Sequence, residues 1–164
     1  MKALPMISKA ALAICLVWTT SCSTLDSSRD AIDPNVAQLL GKRPLSLQWI
    51  SWDDFGEAEI TRGSDPSTLT ITGAQRSTEN DDYLTIDGTI SNVTDLGFTF
   101  NGVIVTKVSH NNGGEAFRRE GTYRFGRYGD RRFWRLVERT NPEGHVDYVD
   151  LYEDMAAAKA PPAY

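Results

Sequence analysis

The densest run of chemistry-bearing side chains lies in residues 114–139, where eight arginines meet four acids. The arginines are Arg118, Arg119, Arg124, Arg127, Arg131, Arg132, Arg135 and Arg139, interleaved with Phe117, Tyr123, Phe125, Tyr128, Phe133 and Trp134. A guanidinium is a rigid planar fork that grips carboxylate or phosphate bidentately and lies flat on aromatic rings. Two readings follow. Arg118, Arg119, Arg124, Arg127, Arg131, Arg132 and Arg135 form a docking face for an anionic partner, or strand alternation turns the rings inward and spreads the arginine stems over apolar surface. The chain as a whole carries a net charge of −5, which does not suit a nucleic-acid binder.

Other reactive residue types do not assemble into a catalytic pattern. Ser109, His110 and Asp150 supply the types of a hydrolytic triad, but no nucleophile elbow or oxyanion glycine accompanies them. His110 and His145 both sit beside turns, and with Asp147 they match no metal-ligand spacing. Asp53-Asp54 and the run 79–82 are acidic but lack calcium-loop ligand order. The glycines form no phosphate loop. We therefore expect no catalytic residue, metal or cofactor, and a protein that is not an enzyme.

Cys22 offers a different chemistry. Lys2 and Lys9 precede the apolar run 10–18 (AALAICLVW), and Thr19, Thr20 and Ser21 lead into the cysteine. Nine residues are too few to span a bilayer but suit a signal-peptide core. The tail resembles the bacterial lipobox, with Thr19 where that pattern prefers leucine. The thiolate is the nucleophile that takes a diacylglycerol group, and cleavage would leave Cys22 as residue one. Ordinary cleavage near Ser23 is the alternative. Removing residues 1–21 leaves Cys22 as the one cysteine, so a mature domain without disulfides is expected. Ser23, rather than Asp, follows it and favours an outer-membrane lipoprotein facing the periplasm.

The elements that must position these groups read as β. After the signal at 1–21, residues 22–44 form a tether with one short helix: Asp33 is its N-cap, Pro34 its first residue and Gly41 its stop. Val36, Leu39 and Leu40 share a face that should dock. Residues 45–153 form the β-rich domain and 154–164 a flexible tail. Ten strands are expected, at 45–50, 58–62, 68–73, 83–91, 97–100, 103–109, 115–118, 122–127, 132–139 and 146–152. Asn101-Gly102 has the residue types of a type I′ turn and predicts a tight hairpin. Leu84, Ile86, Ile90, Phe98, Phe100, Val103, Trp134, Leu136, Val149 and Leu151 should line the core. The expected fold is all-β, a small antiparallel β-barrel, with a β-sandwich as the alternative.

The pieces YLTIDGTI (83–90), GFTFNGVIVTKVSHNNGGEAFRREGTYRF (97–125), RRFWRL (131–136), Asn141-Pro142 and HVDYVDLY (145–152) carry a family resemblance. This stretch resembles a group of small, exported bacterial domains of unknown function. The resemblance implies an exported β-rich domain and transfers no catalytic residue. The group has cysteines near the positions of Phe117 and Glu143, and this chain has neither.

Taken together, the sequence points to a lipid-anchored protein of the bacterial cell envelope acting as a non-enzymatic binding or structural module. Its partners would be the membrane, through the lipid, and an anionic envelope component or protein. A lipocalin-like barrel for a small ligand would need an open lumen, which the bulky inward residues oppose. A periplasmic protease or lysozyme inhibitor would need a protruding loop, such as 111–114 or 141–144.

Overall fold

A computed structural model describes residues 32–65 and 67–160. The signal at 1–21, Cys22, the tether up to residue 31 and the last four residues of the tail lie outside the described residues. Eight strands form one antiparallel closed barrel: β1 (Gly41–Leu47), β2 (Gly56–Arg62), β3 (Leu69–Arg76), β4 (Tyr83–Thr94), β5 (Gly97–Lys107), β6 (Phe117–Gly126), β7 (Phe133–Leu136) and β8 (Val149–Tyr152). Each strand pairs with its sequence neighbour, and β8 returns to β1 through Leu45↔Leu151, Ser46↔Asp150 and Leu47↔Val149. The expected barrel is the fold observed. Closure leaves one layer of side chains inside, so alternation along each strand decides what meets what.

The inward set is bulky and fills the centre. Leu45, Leu84, Ile86, Ile90, Phe98, Phe100, Ile104, Phe125, Trp134 and Leu136 are all buried in one cluster. Phe98 stacks on Phe125 at 5.1 Å, and Phe100 meets Phe125 edge-on at 6.1 Å. Burying such side chains contributes roughly 1.5–3 kcal/mol each, and the described residues, which include no cysteine, rely on that packing.

Two expectations about strands are corrected. Asn101-Gly102 is not a turn, because β5 runs unbroken through it and neither residue has positive φ. Asn101 pairs with Thr89 and Thr122, and Gly102 with Gly88 and Gly121. Pairing on both sides outweighs a two-residue turn preference. The continuous strand also fixes parity, so Ile104 points inward and Val103 is only half-buried. The expected strands at 115–118 and 122–127 are likewise one strand, β6, which runs through Gly121 at φ +148° without a register shift.

The ends of the barrel are closed by neighbouring segments. Helix α1 (Pro34–Leu39) starts as expected, with Asp33 accepting from the Asn35 amide at 2.7 Å. Leu39 is fully buried, and Val36 and Leu40 pack on the same core. Within the expected tail, Met155–Ala158 form a second short helix, α2, whose Ala157 is buried. At the other end Gln75 points inward, accepts from the Leu47 amide at 2.6 Å and donates to the Asp54 carbonyl at 2.6 Å. That side chain pins the segment 48–55 across the barrel mouth. No described helix is long and apolar enough to cross a membrane.

Candidate functional site

The structure does not assemble the seven predicted arginines into one face. Arg119 faces inward beside Ile104 and pairs with the buried Asp147, its own side chain 9% exposed. Asp147 also accepts from Trp49 Nε1 at 3.1 Å and Asn141 Nδ2 at 3.3 Å, so this arginine locks the 137–148 loop. Arg127 lies 4.4 Å over the Trp134 ring and pairs with Glu153 at 2.6 Å. Arg135 grips Asp150 bidentately at 2.7 and 2.6 Å. Arg119 and Arg127 are thus engaged by the chain's own carboxylates away from a common face, and Arg135 has its charge already paired. The reason is distant carboxylates: Asp147, Asp150 and Glu153 reach them from the far side of the last hairpin.

Arg118, Arg124, Arg131 and Arg132 are exposed. Arg118 pairs with Glu120, and the Glu138 carboxylate takes the Arg124 amide at 3.0 Å. Arg132 bonds Glu153 at 2.9 Å and Asp154 at 2.6 Å. Arg131 has no carboxylate partner among the described residues and lies 5.6 Å over the Phe133 ring.

A groove of about 790 Å³ gathers Arg131, Arg132 and Arg135 with Trp52, Phe55, Phe133 and Tyr152. It lies on the outer face of β7 and β8. Phe133 and Tyr152 are cross-strand partners there, with rings 5.3 Å apart, and Phe55 meets Tyr152 edge-on at 5.4 Å. Arg135 continues the ribbon, with its guanidinium 5.1 Å from Phe133 and 4.0 Å from Tyr148. Burial and the nearby Asp150 carboxylate push the Tyr152 phenol above its ordinary range. One wall is the 48–55 segment, where Ser51 Oγ accepts from the Asp53 and Asp54 amides at 3.1 and 2.9 Å and Trp52 is left 63% exposed. The other wall is the chain at 157–160.

That wall depends on Asp154, which caps α2 by accepting from the Ala157 amide at 2.6 Å. This bond, helped by Arg132, holds the Asp154 carboxyl below its ordinary range. A depressed carboxylate stabilises the fold fully above its unfolded pKa and loses that contribution as pH falls through its folded pKa. The protection of the Ala157 amide relative to its intrinsic exchange rate at each pH is therefore expected to fall on acidification below the ordinary carboxylate range, while amides of β5 keep theirs. Equal loss of protection in both would refute local release.

The remaining candidates stay apart. Ser109 Oγ donates to Asp82 at 2.6 Å, His110 packs edge-on against Trp49 at 5.5 Å, and Asp150 belongs to Arg135. His145 sits 3.8 Å from Glu143. Among the described residues no three His, Cys, Asp or Glu side chains are placed to hold a metal. The two loops expected to protrude are joined, because the Asn112 amide donates to Glu143 Oε2 at 2.7 Å. Sequence reasoning missed Trp52, Phe55 and Tyr152. The available signal was two aromatics, Trp52 and Phe55, inside a polar break between strands.

The model of the PM1083 family matches residues 24–153. The chain belongs to the PM1083 family. Its similarity to the uncharacterized protein PM1083 of Pasteurella multocida (strain Pm70) is 41% identity over 116 residues, 70% of this chain and 73% of that protein. No solved structure matches. The span matched by the PM1083 family model holds all eight strands and the Trp52, Phe133 and Tyr152 surfaces, and α2 follows it. The expectation of a bacterial domain of unknown function is met at that level.

Proposed function

We propose that this chain is a non-enzymatic binding module of the bacterial cell envelope, lipid-tethered at Cys22, with the outer aromatic groove as its binding surface. The observation that carries this reading is a ligand-sized groove floored by rings on the outside of a barrel whose inside is filled. Pockets of several hundred Å³ with an apolar floor and a few converging polar groups are the usual form of a binding site. The filled centre weighs against a lipocalin-like lumen. The dispersal of Ser109, His110 and Asp150 weighs against hydrolysis. The N-terminal lysines, short apolar run and small-residue exit support a lipoprotein signal, and Ser23 after Cys22 supports the outer membrane facing the periplasm.

Two measurements test the reading. Intact-mass analysis of the membrane fraction should show a diacylglyceryl addition that Cys22→Ser abolishes along with membrane partitioning; an unmodified mass would end the lipid claim. A photoreactive residue in place of Trp52 should trap envelope material in cells, whereas one in place of exposed Thr89 on β4 should not. Equal trapping at both positions would end the claim for the groove.

A further inference from the structure

The charges around the groove specify its occupant more closely than the arginine-rich sequence suggests. Arg132 is neutralised by Glu153 and Asp154, and Arg135 by Asp150. The rim groups without a charged partner among the described residues are Asp53, Asp130, Arg131 and Lys159. Two are negative and two positive. The open rim is electrically balanced, with acceptors and donors both facing an aromatic floor.

Three classes of ligand fit this rim poorly. An acidic peptide would satisfy Arg131 and Lys159 but face Asp53 and Asp130. A basic one would do the reverse. A purely apolar anchor would strip water from all four charges without replacing their hydrogen bonds, which costs several kcal/mol per ion. A neutral polyhydroxyl ligand meets the rim on both counts, because each hydroxyl donates to a carboxylate and accepts from a guanidinium or ammonium. The C–H face of a pyranose ring is apolar and packs on an aromatic face, as weak C–H contacts and ring quadrupoles favour.

We propose that the groove binds a glycan, a neutral pyranose chain laid along Trp52 and Phe55, with its hydroxyls bridging Asp53 or Asp130 to Arg131 or Lys159. This rests on the groove being the binding surface, as proposed above. Trp52 is the principal platform, since it is the most exposed ring of the groove. Arg131, lying over Phe133, supplies a donor at the level of the floor.

The test is titration of the protein as purified from cells, held in a detergent without a sugar headgroup, with β-1,4-linked N-acetylglucosamine tetramer and separately with a glucose tetramer. At least one should give a saturable change in tryptophan fluorescence and a matching calorimetric isotherm. Loss of a ring platform worth about 1.4 kcal/mol would weaken binding about tenfold in Trp52→Ala. Arg131→Gln should weaken it as well. Both residues are solvent-exposed, so circular dichroism should confirm unchanged folding in each variant. A hexaglutamate peptide is the comparison ligand. If neither tetramer binds but hexaglutamate does, and Arg131→Glu abolishes it, the glycan inference is overturned while the groove remains the binding surface. If nothing binds and the photoreactive residue at position 52 traps nothing, both fall. Tetramer binding that is unchanged in Trp52→Ala and Arg131→Gln overturns the placement.

Discussion

Replacing Asp150 by alanine is expected to cost about 3–5 kcal/mol of stability, the loss typical of a buried ion pair stripped of one partner. Asp150 is 1% exposed and holds both arms of the Arg135 guanidinium. That guanidinium is bracketed by Phe133 and Tyr148 and only partly exposed at the groove, so water replaces the lost carboxylate poorly. Burial pushes the Asp150 carboxyl above its ordinary range, and the pull of Arg135 does not fully compensate. Buried pairs of this kind are often close to break-even against an apolar pair of similar volume, even though breaking one is expensive. Asp150→Leu with Arg135→Met should recover most of the loss. Urea unfolding of the full chain checks both outcomes. A double variant as unstable as Asp150→Ala alone would show that the hydrogen-bonded geometry, not the stranded charge, sets the cost.

This pair also shows what could and could not be read from the chain. Strand alternation gave the inward set correctly at Leu84, Ile86, Ile90, Trp134 and Leu136, because period two is a local property. The arginines were visible as a class, but a residue's type does not name its partner. Arg135 finds its acid 15 positions away and Arg119 finds Asp147 at 28. Both carboxylates lie on or beside β8, and which of its residues faces which arginine is set by tertiary register rather than by residue type. The groove was hidden for the same reason. Its floor joins Phe55, before β2, to Phe133 and Tyr152 on the last hairpin. The capping of α1 needed only Asp33 and Pro34, and it was legible.

The misread turn at Asn101-Gly102 leads to the other large expected effect. Gly88, Gly102 and Gly121 stand side by side across β4, β5 and β6, with the fully buried Phe100 ring lying over the first two. A Cβ on Gly102 would stand 2.6 Å from the Gly88 Cα and 2.8 Å from the Phe100 ring, and closer still to the Asp87 carbonyl oxygen. Glycine is present there for close backbone approach rather than for a turn. Phe100→Ala should lose about 3–5 kcal/mol, since the ring is enclosed and the rigid strands around it collapse little. Gly102→Ala should lose about 1–3 kcal/mol through overpacking. The double variant separates two origins of that second loss. If the ring were the obstacle, removing it would make room and Phe100→Ala with Gly102→Ala would be more stable than Phe100→Ala alone. Because the nearest atoms are the backbone of β4, which side-chain truncation does not move, the double variant should be no more stable than Phe100→Ala. Thermal unfolding of the three proteins decides between them, and recovery in the double variant would mean that the β4–β5 spacing is set by the Phe100 ring.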